Sequence, residues 1–205
     1  MVMATKYDLI LFWEWFRTIS KKLEINFDQE DLIEEIDKQV RLLGDFSWEL
    51  GLGIHTSYSF VISPNCNRKL LNDTKEIIRY SPSLTSWEFY YAKPPKIWNL
   101  IFSFTDNNGK DIKINAQDWE YVLLKFPDNS FDVIIKTSNN HNLDRNNLNI
   151  AAEILLIGIL GEEVYIEHIV TIDIVNNFET KYIGKESKMI HFKEHFTEVS
   201  ARSDL

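Results

Sequence analysis

Six bulky apolar residues, Leu9, Phe12, Trp13, Phe16, Ile19 and Leu23, recur at spacings of three and four near the start of the chain, the repeat of one face of an α-helix. Three of them are aromatic and bury large areas, so this face has to be covered by other elements. Lys21 and Lys22 fall in the last turn, where cations complement the helix dipole. A second helix follows at once. Asp28 is its expected N-cap, Phe27 and Leu32 are spaced for a hydrophobic staple, and Glu30 and Asp31 stand in the first turn. Its apolar stripe is Leu32, Ile33, Ile36, Val40 and Leu43, and Gly44 closes it. The spacing predicts two antiparallel helices joined by a short link.

The apolar period then changes to two. Phe46, Trp48 and Leu50 alternate with polar residues, and a turn with Gly51 and Gly53 leads into Tyr58, Phe60 and Ile62. A helix is expected over about 67–80, stopped by Pro82, and Trp87, Phe89 and Tyr91 form a further strand cut off by Pro94-Pro95. Leu100, Phe102 and Phe104 alternate before Asn108-Gly109, a strong hairpin signal, with Ile112 and Ile114 on the return strand. Residues 119–126 and 131–136 flank the turn Pro127-Asp128-Asn129-Ser130. After a polar loop over 138–142, a helix from Asp144 to about Leu160 is apolar on most faces and must be buried on several sides. Gly161 ends it, and residues 164–175 read as one long strand with Val164, Ile166, Val170, Ile172 and Ile174 on a single face.

The expected fold class is therefore α+β: an N-terminal helix pair, then a largely antiparallel sheet with helices packed on one face. Residues 46–92 and 119–175 share the order strand, strand, helix, strand, which suggests two pseudo-repeated ββαβ units in one sheet, although the two share almost no residue identities. A single α+β domain over 1–185 is expected, with 186–205 as a polar tail carrying one short helix near 190–196.

Charge narrows the function. The 205 residues hold 22 Lys and Arg against 31 Asp and Glu, a net charge of −9, which argues against a nucleic-acid partner because phosphate contacts need a basic face. The apolar run at 154–160 is too short for a bilayer span, which takes about 20 residues, so no membrane partner is expected. Residues 9–16 are interrupted by Glu14 and bulky aromatics and do not read as a signal peptide. One cysteine, Cys66, forbids an intramolecular disulfide and fits a reducing cytoplasm. Heavy use of Asn, Ile and Lys suggests an AT-rich bacterial genome.

Candidate chemistry is sparse. Glu163, Glu167 and Asp173 would share a strand face, but Glu163 and Asp173 would stand some 33 Å apart at about 3.3 Å per residue, too far for one cation site. His55, His141, His168, His191 and His195 show no metal-ligand spacing with Cys66, and neither a phosphate-binding loop nor a nucleophile motif is present. No metal and no cofactor is expected. Most of the block Phe12-Trp13-Glu14-Trp15-Phe16 belongs to the core stripe, but Trp15 lies off it. The segment Tyr90-Tyr91-Ala92-Lys93-Pro94-Pro95-Lys96-Ile97-Trp98 pairs stiff prolines with residue types common at binding hot spots. The candidate partner-binding residues are thus Trp15, Tyr90, Tyr91, Lys93, Lys96 and Trp98, with a loop of inward-folded aromatics as the alternative reading. If the chain is an enzyme, its site must be assembled from distant residues, with Glu88, Asp118, Glu163 and His168 as ionisable candidates on or beside strands.

Phe12-Trp13-Glu14-Trp15-Phe16, the junction Val61-Ile62-Ser63-Pro64, Ser81-Pro82-Ser83-Leu84 before Trp87-Glu88-Phe89, and Leu160-Gly161-Glu162 resemble, in order over most of 8–175, a family of small acidic bacterial proteins of unknown function. The resemblance implies an α+β cytoplasmic domain and carries no activity and no functional residues. The chain departs from that pattern at Asn65-Cys66, where an acid–glycine pair is expected. The preferred functional expectation is a non-catalytic binding or protein-interaction domain, of immunity or adaptor type, masking a basic protein partner through complementary charge. A homodimer is the third reading.

Overall fold

The computed structural model describes residues 4–27, 29–138 and 143–202. The expected N-cap Asp28, His141 and residues 139–142 of the expected loop lie outside them. The architecture is α+β, with six helices and nine strands in open, mostly antiparallel sheets among the described residues. Contacts cluster into two compact units, Met1–Lys93 and Pro94–Leu205.

The first unit opens with helix α1 (Lys6–Ile25). Thr5 caps it: the Asp8 N–H donates to the Thr5 hydroxyl at 3.3 Å and the Thr5 N–H donates to the Asp8 carboxylate at 2.7 Å, a reciprocal capping box. The Thr5 side chain and N–H hold the Asp8 carboxyl below its usual range. All six residues of the α1 stripe are buried. Helix α2 (Glu30–Leu43) buries Leu32, Ile36, Val40 and Leu43, and the Gly44 N–H closes it on the Val40 carbonyl. Ile33, placed on the stripe from sequence, is instead 37% exposed, since it falls at the edge of the buried arc.

Strands β1 (Ser47–Gly51) and β2 (Tyr58–Ser63) pair antiparallel, and β3 (Trp87–Tyr90) runs parallel to β2, in the order β1-β2-β3. The crossover is a 3₁₀ turn, Arg68–Leu70, continued by α3 (Leu71–Arg79). The core is aromatic: Phe16 stacks on Phe60 with ring centroids 4.8 Å apart, and Trp13, Trp87 and Phe89 meet Phe16 edge-on. The Trp13 indole N–H donates to the Ile77 carbonyl at 2.8 Å, tying α1 to α3.

In the second unit, β4 (Ile101–Thr105) and β5 (Asp111–Asn115) form the hairpin expected around Asn108-Gly109, with Gly109 at φ 77°. Strands β6 (Glu120–Lys125) and β7 (Phe131–Lys136) form the next hairpin. Helix α4 (Arg145–Leu160), capped by Asp144, buries Ala151, Ala152, Leu155 and Leu156 fully, as its apolar composition requires. The sheet order is β8-β7-β6-β9, with β8 (Ile169–Val175) parallel to β7 and β9 (Ser187–Lys188) antiparallel to β6.

Each unit therefore contains the ββαβ order with the same pairing sense, β1-β2-α3-β3 in one and β6-β7-α4-β8 in the other. The expectation of one shared sheet is corrected: the strands form three separate sheets.

The long strand expected over 164–175 is also corrected. Its first part is a helix, α5 (Glu162–His168), and the strand starts at Ile169. Gly161, at φ 85°, ends α4, and Glu162 and Glu163 in the following first turn complement a helix N-terminus. The alternation of Val164 and Ile166 imitates a strand, but on α5 the two point to different sides and only Ile166 is fully buried. Val170, assigned to the inner face, is 64% exposed, because the pairing steps from Phe131–Ile169 to Asp132–Thr171 and leaves Val170 in a bulge. The stretch from residue 186, expected to be a polar tail, supplies β9, a 3₁₀ turn (Met189–His191) and helix α6 (Phe192–Ala201). Met189, Phe192 and Phe196 are buried in the core of this unit, because the i, i+4 pair of phenylalanines gives an otherwise polar segment one apolar edge.

Candidate functional site

The strongest electrostatic feature of the first unit grows from the alternation of β3. Trp87 and Phe89 point to the core, so Glu88 and Tyr90 share the other face. There the Glu88 carboxylate accepts hydrogen bonds from three successive backbone N–H groups of the β1–β2 loop: Ile54 at 3.2 Å, then His55 and Thr56. The Tyr90 hydroxyl donates to the same carboxylate. A run of aligned N–H groups is an anion-binding nest, and here the anion comes from the chain itself. Gly53 allows the loop to close this tightly, because a Cβ there would stand 2.6 Å from the Thr56 carbonyl oxygen and 3.0 Å from Glu88 Oε1.

Burial pushes the Glu88 carboxyl up, but the hydrogen bonds from Tyr90, His55, Thr56 and Ile54 together outweigh it and bring the group down to about 2. Burial and the donated bond to Glu88 push Tyr90 up to about 12. Both groups are thereby moved away from neutrality, where proton transfer is most effective. The arrangement is a clamp that fixes an exposed loop.

Glu88 titrates lower in the folded chain than the ordinary 4.5, so its contribution is complete above pH 4.5 and is lost as pH falls toward about 2. Glu88→Gln is expected to lower stability by about 1–2 kcal/mol at pH 7 and to flatten the decline in urea midpoint between pH 4.5 and 2. Parallel pH profiles for the two proteins would remove the clamp.

The six residues singled out from sequence have the following partners. Trp15 is half-buried; its indole N–H donates to Glu35 at 2.7 Å and its ring packs on Phe12 and Phe16, so it ties α1 to α2. Tyr90 belongs to the clamp. Tyr91 lies under the Lys75 ammonium, 5.2 Å from the ring centroid, and Lys93 pairs with Glu49 at 3.2 Å. Those four lie in the first unit, whereas Lys96 and Trp98 lie in the second. There the Lys96 N–H donates to the Gly158 carbonyl at 2.7 Å, and the two side chains line a common cavity with Lys193. Lys193 carries no sequence signal linking it to Lys96.

No family model, no curated protein and no solved structure matches this chain. The cluster of Phe12, Trp13, Trp15 and Phe16 is consistent with the motif that opens the family resemblance, but no family is confirmed.

The other ionisable candidates, Asp118, Glu163 and His168, belong to the second unit. Asp118 is exposed beside β6, and Glu163 stands on α5 rather than on a strand. His168 Nδ1 donates to the Asn129 carbonyl at 2.9 Å, against the Phe131 and Phe196 rings. Tyr121, pushed up to about 12 by burial, bonds His195 Nδ1 at 2.8 Å. Among the described residues no group of three or more His, Cys, Asp or Glu is placed to hold a metal ion, and no helix is long and apolar enough to cross a membrane. At the β2–α3 junction, Asn65 and Cys66 both adopt left-handed backbone, at φ 51° and 59°, a tight non-glycine turn at the position where the chain departs from the resemblance.

Proposed function

We propose that the protein is a non-catalytic binding or interaction protein of immunity or adaptor type, acting in a bacterial cytoplasm by masking a basic protein partner. The observation that carries this reading is the first two turns of α2. Glu30, Asp31 and Glu34 are exposed there, and no Lys or Arg pairs with them among the described residues. Further along, Asp37 is already paired with Arg41 at 2.7 Å, which leaves the start of the helix as the end without ion pairs. Three such carboxylates on a chain of net charge −9 attract a cationic surface and raise its encounter rate.

The reading as an enzyme with a site assembled from distant residues has weaker support, because Glu88 and Tyr90 are shifted away from the range that proton transfer needs.

The test is capture from the native host at low salt, with a triple variant Glu30→Gln, Asp31→Asn, Glu34→Gln as control. A basic protein is expected on the unaltered chain, with association slowed about tenfold in the variant and the difference vanishing at high salt. Equal association rates for the two would overturn the assignment to α2, and the absence of any basic protein would overturn the whole reading. Light scattering at micromolar concentration separates it from a homodimer that closes on itself.

A further inference from the structure

Residues 96–100 cross α4 where that helix has its one glycine. Besides the Lys96 N–H bond to the Gly158 carbonyl, the Trp98 ring fills the space of the missing side chain: a Cβ on Gly158 would stand 2.3 Å from Trp98 Cζ2. This crossing, the end of α4 and the start of the C-terminal segment line a half-open pocket of about 130 Å³. Its walls are Trp98, Leu100, Ile159 and Met189, and its two charged members are Lys96 and Lys193, both exposed.

Three features coincide there. First, none of the lining residues is acidic, and neither lysine has an ion-pair partner among the described residues, although residues 94–205 hold 17 Asp and Glu against 11 Lys and Arg. Two lysines without ion-pair partners on the lining of one pocket in an acidic unit favour an anion there. Second, the Trp98 indole N–H is buried with no acceptor, which is uncommon for a buried donor and would be relieved by an acceptor brought in from outside. Third, Leu100 adopts left-handed backbone at φ 61°, a region that bulky side chains rarely occupy and that tends to mark binding sites.

We propose that this pocket binds a small organic carboxylate, with a short acyl group against Trp98, Leu100, Ile159 and Met189 and the carboxylate held between Lys96 and Lys193. The apolar walls select against inorganic anions, and the paired ammonium groups select against uncharged hydrocarbons. At about 30 Å³ per water-sized volume, the pocket takes roughly four heavy atoms, so a short acyl group fills it and the end of a longer one lies along its open side.

The experiment is a titration of the ¹⁵N-labelled full chain with hexanoate, read at the Trp98 indole N–H and by calorimetry. Hexanol and inorganic phosphate are the controls for tail and charge, and Lys96→Met and Lys193→Met, singly and together, are the variants. Both lysines are exposed, so the variants keep the fold, which the unchanged remainder of the spectrum verifies. Expected are saturable movement of the Trp98 signal with hexanoate, binding at least tenfold weaker for both controls, and at least a tenfold loss in the double variant. No movement at saturating hexanoate, an unchanged affinity in the double variant, or phosphate binding as tightly as hexanoate would each overturn the assignment.

Discussion

Phe16→Ala is expected to destabilise the first unit by about 3–5 kcal/mol, enough to take a unit of ordinary stability most of the way to unfolding. Phe16 is completely buried. Its ring stacks on Phe60 at 4.8 Å with an interplanar angle of 20°, and it meets Trp13 at 5.7 Å, Trp87 at 5.2 Å and Phe89 at 5.6 Å, all nearly edge-on. Truncation leaves a void walled by rings from α1, β2 and β3. Those rings are held from elsewhere: Trp13 by its bond to Ile77, and Trp87 by its N–H to Glu24 at 3.0 Å. They cannot collapse inward without giving up those bonds, so the cost belongs at the upper end of the range. Phe16→Leu, which keeps most of the volume, should cost less than half as much. Urea unfolding followed by Trp fluorescence reads both, and a loss below 1 kcal/mol for the alanine variant would mean that the ring cluster is not close-packed.

The same residue shows what the sequence could reveal. The α1 stripe was legible because a helix repeats every 3.6 residues and six large side chains kept to that repeat without exception. Hairpins were legible where turn chemistry is local, as at Asn108-Gly109. Reading failed where the pattern fits two periods. In 164–168, Val164 and Ile166 alternate as in a strand, yet Gly161 and the acids after it start a helix. It failed again where the partners are remote in sequence. The Glu88 nest depends on N–H groups more than thirty residues away, and backbone donors leave no mark in composition. Lys96 and Trp98 stood out by residue type, but Lys193 joins them only through the packing of the C-terminal segment. Phe192 and Phe196 looked minor inside a charged stretch, although two apolar residues four apart suffice to dock one helix edge.

Gly158→Ala offers the second large effect, and its sign is diagnostic. Inside an unobstructed helix, alanine in place of glycine gains about 1 kcal/mol. At this position the new methyl would stand 2.3 Å from Trp98 Cζ2 and 2.8 Å from Cη2, well inside contact distance. The ring is braced by Phe102, 5.3 Å away, and the chain beside it is pinned by the Lys96–Gly158 backbone bond. Admitting the methyl therefore displaces the indole and strains that bond together, so the expected net result is a loss of about 1–3 kcal/mol, larger for Gly158→Val. A double-mutant cycle isolates the cause. In a Trp98→Ala background the obstruction is gone, and Gly158→Ala should turn neutral or stabilising, with a coupling of at least about 1 kcal/mol. The crossing also shapes the cavity beside it, so the single Gly158→Ala variant should lose hexanoate binding while keeping both lysines. If Gly158→Ala stabilises the unaltered protein, the indole does not occupy that seat.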